Sequence, residues 1–151
     1  MKNKTIMLAG ASGYLGSYVA SELHKQGYST KILVRNQSKI PGNLDSAKII
    51  VAEVTKRETL LGTMDGIDVL ISTVGITKQK DGLTYMDVDY QANLNLLKEA
   101  KKAGVKKFIY VSAFGADKLT DLKMCHAKEL FVQELINSGM DYCIIRPNGF
   151  F

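Results

Sequence analysis

The sequence predicts an α/β protein built on a doubly wound parallel sheet, and three observations carry that expectation. Short runs of branched apolar residues alternate with longer stretches of helical periodicity along the chain. Runs such as DVLIS and KFIYV are apolar at nearly every position, as parallel strands covered on both faces require. The first run, TIML, leads into AGASGYLGS, which sets Gly10, Gly13 and Gly16 three apart between a strand and a helix.

In chain order, Thr5–Leu8 is the first strand. Tyr14–Lys25 follows as a helix, because Leu15, Val19 and Leu23 recur on one face and Gly27 is a stop signal. Strands at Thr30–Val34 and Lys48–Val51 come next, then a short helix near Arg57–Leu61. Val69–Ser72 is the fourth strand, and the polar TKQKDG after it, Thr77–Gly82, reads as a mobile loop. A long helix over Met86–Ala103 ends before Gly104. Strands Lys107–Val111 and Tyr142–Ile145 flank a last helix, Leu122–Asn137, giving about six strands with helices on both faces. No repeat, low-complexity tract or linker divides the chain, so residues 1–151 form one domain.

Composition narrows the function. The net charge of +5 is densest in KEAKKAGVKK, Lys98–Lys107. Cations gather at a helix C-terminus because the macrodipole favours them there. No aromatic residues interleave with them, so nucleic acid is not an expected partner. No run approaches the ~20 apolar residues of a membrane span. The basic MKNK is followed by an apolar run that breaks at Gly10, too short for a secretory signal. Cys125 and Cys143 have neither metal-ligand spacing nor a disulfide framework, so the expected location is cytoplasmic, with no metal. Cys143, in the run YCII, reads as a small buried hydrophobe.

The glycine turn is the strongest functional signal. In a doubly wound sheet the first strand-to-helix turn lies at a switch point, where the helix N-terminus presents amides to an anion. Glycines at 10, 13 and 16 permit a tight turn, close approach to a pyrophosphate and close packing of helix on strand. A P-loop would need Gly-Lys-Ser/Thr, which is absent. At the end of the second strand, a fold selecting NAD places Asp or Glu to accept from the ribose 2′-hydroxyl. Here Arg35 stands, with Lys39 nearby, and a cation there pairs with a 2′-phosphate. NADP is therefore expected over NAD.

GASGYLG, ILVRN, VDYQANLNLLKEAKKAGVKKFIYVS and SGMDYCIIRPNGF together resemble the atypical short-chain dehydrogenase/reductase superfamily, in its NmrA-like, epimerase/dehydratase-related branch. The resemblance covers nearly the whole chain and implies a Rossmann fold with a dinucleotide cofactor. It implies that Gly10, Ser12, Gly13, Tyr14, Leu15 and Gly16 form the pyrophosphate loop and that Arg35 takes the adenosine phosphate. Glu53 and Val54 would lie beside the adenine, Thr73, Val74 and Gly75 along the adenosine ribose, and Ser112 near the nicotinamide. Lys128 would match the lysine of the family's Tyr-x-x-x-Lys pair. Ser12 has a second reading, as the cap of the first helix.

Two departures stand out. In the reductase mechanism a tyrosine passes the proton while the lysine holds the ribose and lowers the phenol pKa. Four residues before Lys128 stands Met124, which carries no transferable proton. His126 lies on another side of the helix and reads as exposed, and Cys125 as an inert thiol. Tyr85 and Ser112 are the other hydroxyls considered as donors. The second departure is length: relatives continue past RPNGF, so a chain stopping at Phe151 is expected to be truncated, with apolar surface left at the last strand. Two functions follow: an NADP-dependent oxidoreductase or epimerase acting on an unidentified small molecule, or a non-catalytic NADP(H) sensor. A homodimer is compatible with both.

Overall fold

Parallel pairing runs through the whole sheet. The computed structural model describes residues 3–40, 44 and 48–149. Its strands are β1 (Thr5–Ala9), β2 (Ser29–Val34), β3 (Ile49–Val51), β4 (Val69–Ser72), β5 (Lys107–Val111) and β6 (Asp141–Ile145), in the order β3-β2-β1-β4-β5-β6. Leu8 lies between Ile32 and Ile71, which sets the register at the centre of the sheet. The chain steps outward from β1 to β3, then crosses back over β1 to lay down β4. That reversal opens a crevice between the C-terminal ends of β1 and β4.

Three α-helices accompany the sheet: α1 (Tyr14–Lys25), α2 (Asn93–Ala103) and α3 (Lys123–Ile136). Helix α1 covers one face with a small core of Leu8, Ala11, Ala20, Ile32 and Val34. Helices α2 and α3 cover the other face over a larger core. There Phe131 meets Phe108 and Tyr110, with ring centroids 5.6 and 4.7 Å apart. Alternation along β5 explains the arrangement: Phe108, Tyr110 and Ser112 point to the α3 side and are buried, while Ile109 and Val111 point the other way and are half-buried. Helix α2 ends at Gly104, φ +75°, where the Val105 amide returns to the Ala100 carbonyl and closes the terminus.

The predicted elements are present, with three local differences. The short helix near Arg57–Leu61 is a single 3₁₀ turn, Arg57–Leu60. The predicted helix Met86–Ala103 is divided: Met86–Ala92 is wound as a π-helix before α2 begins. Asn93 explains the wide turn in part, because its side-chain amide donates to the Asp89 carbonyl at 3.0 Å, competing for backbone that a tight helix would use itself. Cys143 is half-buried on an edge strand rather than in the core, and Ile145 beside it is 46% exposed. Thr77–Gly82 carries no helix or strand. No helix among the described residues is long and apolar enough to cross a membrane.

Candidate functional site: a cleft over the first glycine turn

Because all six strands are parallel, their C-terminal ends share one edge of the sheet. A cleft of about 220 Å³ opens there, lined by Gly10, Ser12, Gly13, Arg35, Glu53, Val54, Thr73, Val74 and Gly75. Those nine sequence-predicted residues are brought together. Tyr14, Leu15, Gly16, Ser112 and Lys128 do not line it.

The three glycines differ in why they are glycine. Gly10 has φ +94°, a conformation that costs other residues energy, and a Cβ there would lie 2.5 Å from the Thr73 hydroxyl. Gly16 is buried against the turn: its Cβ would fall 2.0 Å from the Gly10 carbonyl oxygen. Helix α1 can approach β1 only because that atom is missing. Gly13 is another matter. Its backbone is ordinary extended chain, φ −81° and ψ 169°, and a Cβ would meet only the Gly10 oxygen at 3.4 Å. Nothing in the described protein requires a glycine there, and the residue faces the cleft.

Thr73 locks the turn to β4. Its amide donates to the Ala9 carbonyl at 3.0 Å, and its hydroxyl lies 3.2 Å from the carbonyl oxygens of both Ala9 and Gly10. Gly13, not Ser12, is the N-cap of α1. No side chain caps this terminus, and no acidic residue occupies the first turn. The positive end of the helix dipole therefore has no side-chain anion of its own. Tyr14 turns outward, 60% exposed, with its ring edge-on to Tyr18 at 5.2 Å.

At the opposite rim, Arg35 is exposed at the end of β2, and Lys39 lies on a 3₁₀ turn capped by Asn36, whose Oδ1 accepts from the Ser38 amide at 3.0 Å. Glu53 has partners already. Lys56 stands 3.2 Å from its carboxylate, and the Thr55 hydroxyl donates to it at 3.0 Å; together they hold its pKa below the usual range.

Beneath the cleft floor lies an ion pair of which the sequence reading named Lys128 and missed its partner. The Lys128 ammonium, on α3, is buried and stands 2.7 Å from the carboxylate of Asp89, which is fully buried on the π-helical turn. Burial pushes the Asp89 carboxyl up, and Lys128 pulls it back. The expected tyrosine position, Met124, is half-buried, and His126 is exposed as predicted. Ser112 lies further along the same edge, at a second opening of about 270 Å³ that also takes in Phe114, Pro147 and Asn148. Its hydroxyl is buried with no hydrogen-bond partner among the described residues. The Tyr85 hydroxyl is committed to the Thr77 carbonyl at 3.0 Å, and burial pushes the Tyr110 phenol far up.

A sequence family described as NAD(P)H-binding matches residues 10–151. The chain belongs to that family. The resemblance to atypical short-chain dehydrogenases/reductases holds with it. A solved structure of a Bacillus halodurans protein, classed with the NAD-dependent epimerases and dehydratases, is 26% identical with a TM-score of 0.86, covering 97% of this chain and 71% of that one. An NADPH-dependent quinone oxidoreductase of Escherichia coli, solved with NADPH, is 26% identical with a TM-score of 0.75, covering 97% of this chain and 49% of that one. Among curated proteins, the photosystem II assembly factor Ycf39 of Cyanidium caldarium is 32% identical over 97% of this chain and 47% of its own length. The divinyl chlorophyllide a 8-vinyl-reductase of Arabidopsis thaliana is 29% identical over 99% of this chain and 40% of its own. The chain thus spans about half the length of the curated relatives it matches. It is an NAD(P)H-binding domain.

The glycines give a direct test in the protein alone. Gly16→Ala forces a carbon into the Gly10 carbonyl and should cost on the order of 1–3 kcal/mol or more in urea unfolding. Gly13→Ala should change stability little. The weaker cap and the stiffer unfolded chain each contribute roughly 0.5–1 kcal/mol, with opposite sign.

Proposed function

We propose that this chain binds NADP(H) in preference to NAD(H), as the cofactor-binding domain of an oxidoreductase. Gly13 carries the argument. It lines the cleft, has a backbone any residue could adopt and has room for a side chain, yet it has none. A pyrophosphate lying over it supplies the missing reason. The amides of Ser12, Tyr14 and Leu15 would hold that group at the uncapped end of α1, while the Gly13 amide closes the turn on the Gly10 carbonyl at 3.0 Å. Gly10 and Gly16 act at one remove, by shaping the turn.

Arg35 would pair with the 2′-phosphate as a charge-assisted fork. Val54 would border the adenine. Glu53 is held by Lys56 and Thr55, so it presents a neutralised rim to the adenine rather than a carboxylate competing for the 2′-hydroxyl. Thr73, Val74 and Gly75 would run under the adenosine ribose. Lys128 would reach the nicotinamide ribose only while keeping its bond to Asp89. Both thiols are free, which supports a reducing compartment such as the cytoplasm.

When bound, the dinucleotide supplies hydride chemistry, and the chain's own task is to orient it and handle the proton. Here the residues are thin. Met124 has no proton to give, Tyr85 is committed to its loop, and Tyr110 is fully buried in the core. Ser112 remains, poised to hydrogen-bond a substrate carbonyl. The absence of a phenol at Met124 favours a second reading, a non-catalytic NADP(H) sensor. The relatives' names fall on both sides, reductases on one and an assembly factor on the other.

Two measurements follow. In calorimetry NADPH should bind more tightly than NADH, and Arg35→Asp should reverse the order. A charge-assisted contact is worth roughly 1.5–3 kcal/mol, or about one to two decades. Equal affinities untouched by the substitution would remove Arg35 from the site. The second measurement follows NADPH oxidation with a panel of carbonyls and quinones. General acid catalysis contributes about 10²–10⁴-fold, so turnover should fall well below ordinary enzyme rates of about 1–10³ per second. Met124→Tyr, one helical turn before Lys128, should raise it. Ordinary rates in the unsubstituted chain would contradict the sensor reading.

A further inference from the structure

The cleft floor at Val74–Ile76 is held from inside the protein by a set of side chains of which the cofactor reading uses only Lys128. The Ile76 amide donates to the Asp89 carboxylate at 3.3 Å. The Asn93 side-chain amide donates to the Val74 carbonyl at 3.1 Å, and its oxygen accepts from the Ser72 hydroxyl at 2.6 Å. Asp89 also holds the Lys128 ammonium at 2.7 Å. Above this group sits Gly75, exposed toward the cleft. Its missing Cβ would point inward, 2.7 Å from Asp89 Oδ1 and 2.9 Å from Lys128 Nζ.

We propose that Asp89 is a positioning residue for the dinucleotide: by clamping Lys128 and the Ile76 amide from beneath, it fixes the height of the Val74–Ile76 backbone along the cleft. The proposal rests on the reading of this cleft as the dinucleotide site. It reassigns Gly75, which is glycine because of the ion pair below it rather than the ligand above. A side chain at 75 meets a buried carboxylate and an ammonium that cannot retreat without losing one another. The backbone must then rise into the space the ribose would occupy. Asp89 acts through the loop and makes no contact with the ligand itself.

A double-mutant cycle tests this, with NADPH affinity by calorimetry as the readout. Gly75→Ala should weaken binding at least tenfold in the otherwise native chain. Beside Asp89→Ala, which leaves room for the added carbon, the same change should cost less than about threefold. If Gly75 were glycine for the ligand's sake, the factor would be equal on both backgrounds, and that result overturns the proposal. Circular dichroism checks that each variant is folded. Should Asp89→Ala fail that check, Asp89→Asn keeps the shape and removes the charge. Amide exchange at Ile76 should then quicken at least fivefold and NADPH affinity should fall with it; unchanged exchange or unchanged affinity overturns the clamp. If the unsubstituted chain binds no NADPH, the dinucleotide reading fails and this proposal with it, whereas binding with equal factors defeats this proposal alone.

Discussion

The structure depends on one close approach: the Cα of Gly16 packed onto the Gly10 carbonyl, with Thr73 closing over both. A single carbon added at Gly16 would sit 2.0 Å from that oxygen. The contact sets how near α1 comes to β1, and so where the helix N-terminus points. It also ties the first turn to β4 through the Thr73 hydroxyl, across the reversal in strand order. Those are the two walls of the crevice. The turn is closed by its own backbone, the Gly13 amide donating to the Gly10 carbonyl at 3.0 Å, and the helix terminus is left without a side-chain cap.

The second organising element is the polar side of α2 and the π-turn before it. Three buried side chains reach outward from it to loops at the sheet edge. Asn93 holds the Val74 carbonyl, Asn95 the Val54 carbonyl at 3.0 Å, and Glu99 the Gly62 amide at 2.9 Å. Two of these pins, at Val74 and Val54, fix residues that line the cleft. Buried polar groups cost free energy unless satisfied, and each of these is satisfied by backbone that has no ladder partner. The Asp89–Lys128 pair raises the stakes, since breaking a buried pair by removing one partner typically costs about 3–5 kcal/mol. The same helix that fills the core thereby sets the geometry of the loops.

Much of this was legible in the sequence, for identifiable reasons. Continuous apolar runs gave the parallel strands, because sheets covered on both faces leave no polar alternation to confuse them. The glycine spacing located the first turn, and the cleft gathered its residues with those at the ends of β2, β3 and β4. What the chain did not disclose were relations between distant side chains. Asp89 sits in the same periodic stretch as its neighbours, and nothing local marks it as the partner of Lys128, thirty-nine positions on. The π-turn was hidden for a related reason: the pattern VDYQANLNLL fits a helix of ordinary pitch, and the bond of the Asn93 side chain to the Asp89 carbonyl, which helps to widen it, shows only in the folded chain. The roles that the glycine spacing implied separate in the structure: Gly10 answers to backbone conformation, Gly16 to packing and Gly13 to neither.

That last distinction bears on the central claim, that the uncapped turn over Gly13 receives the pyrophosphate of a nicotinamide dinucleotide. The most direct measurement is an amide nuclear magnetic resonance titration of the protein with NADPH. The account predicts that the backbone amides of Ser12, Gly13, Tyr14 and Leu15 move most, together with those of Arg35 and Val74–Ile76. Shifts confined to the opening around Ser112 and Phe114, or no shifts at all near the glycine turn, would contradict it.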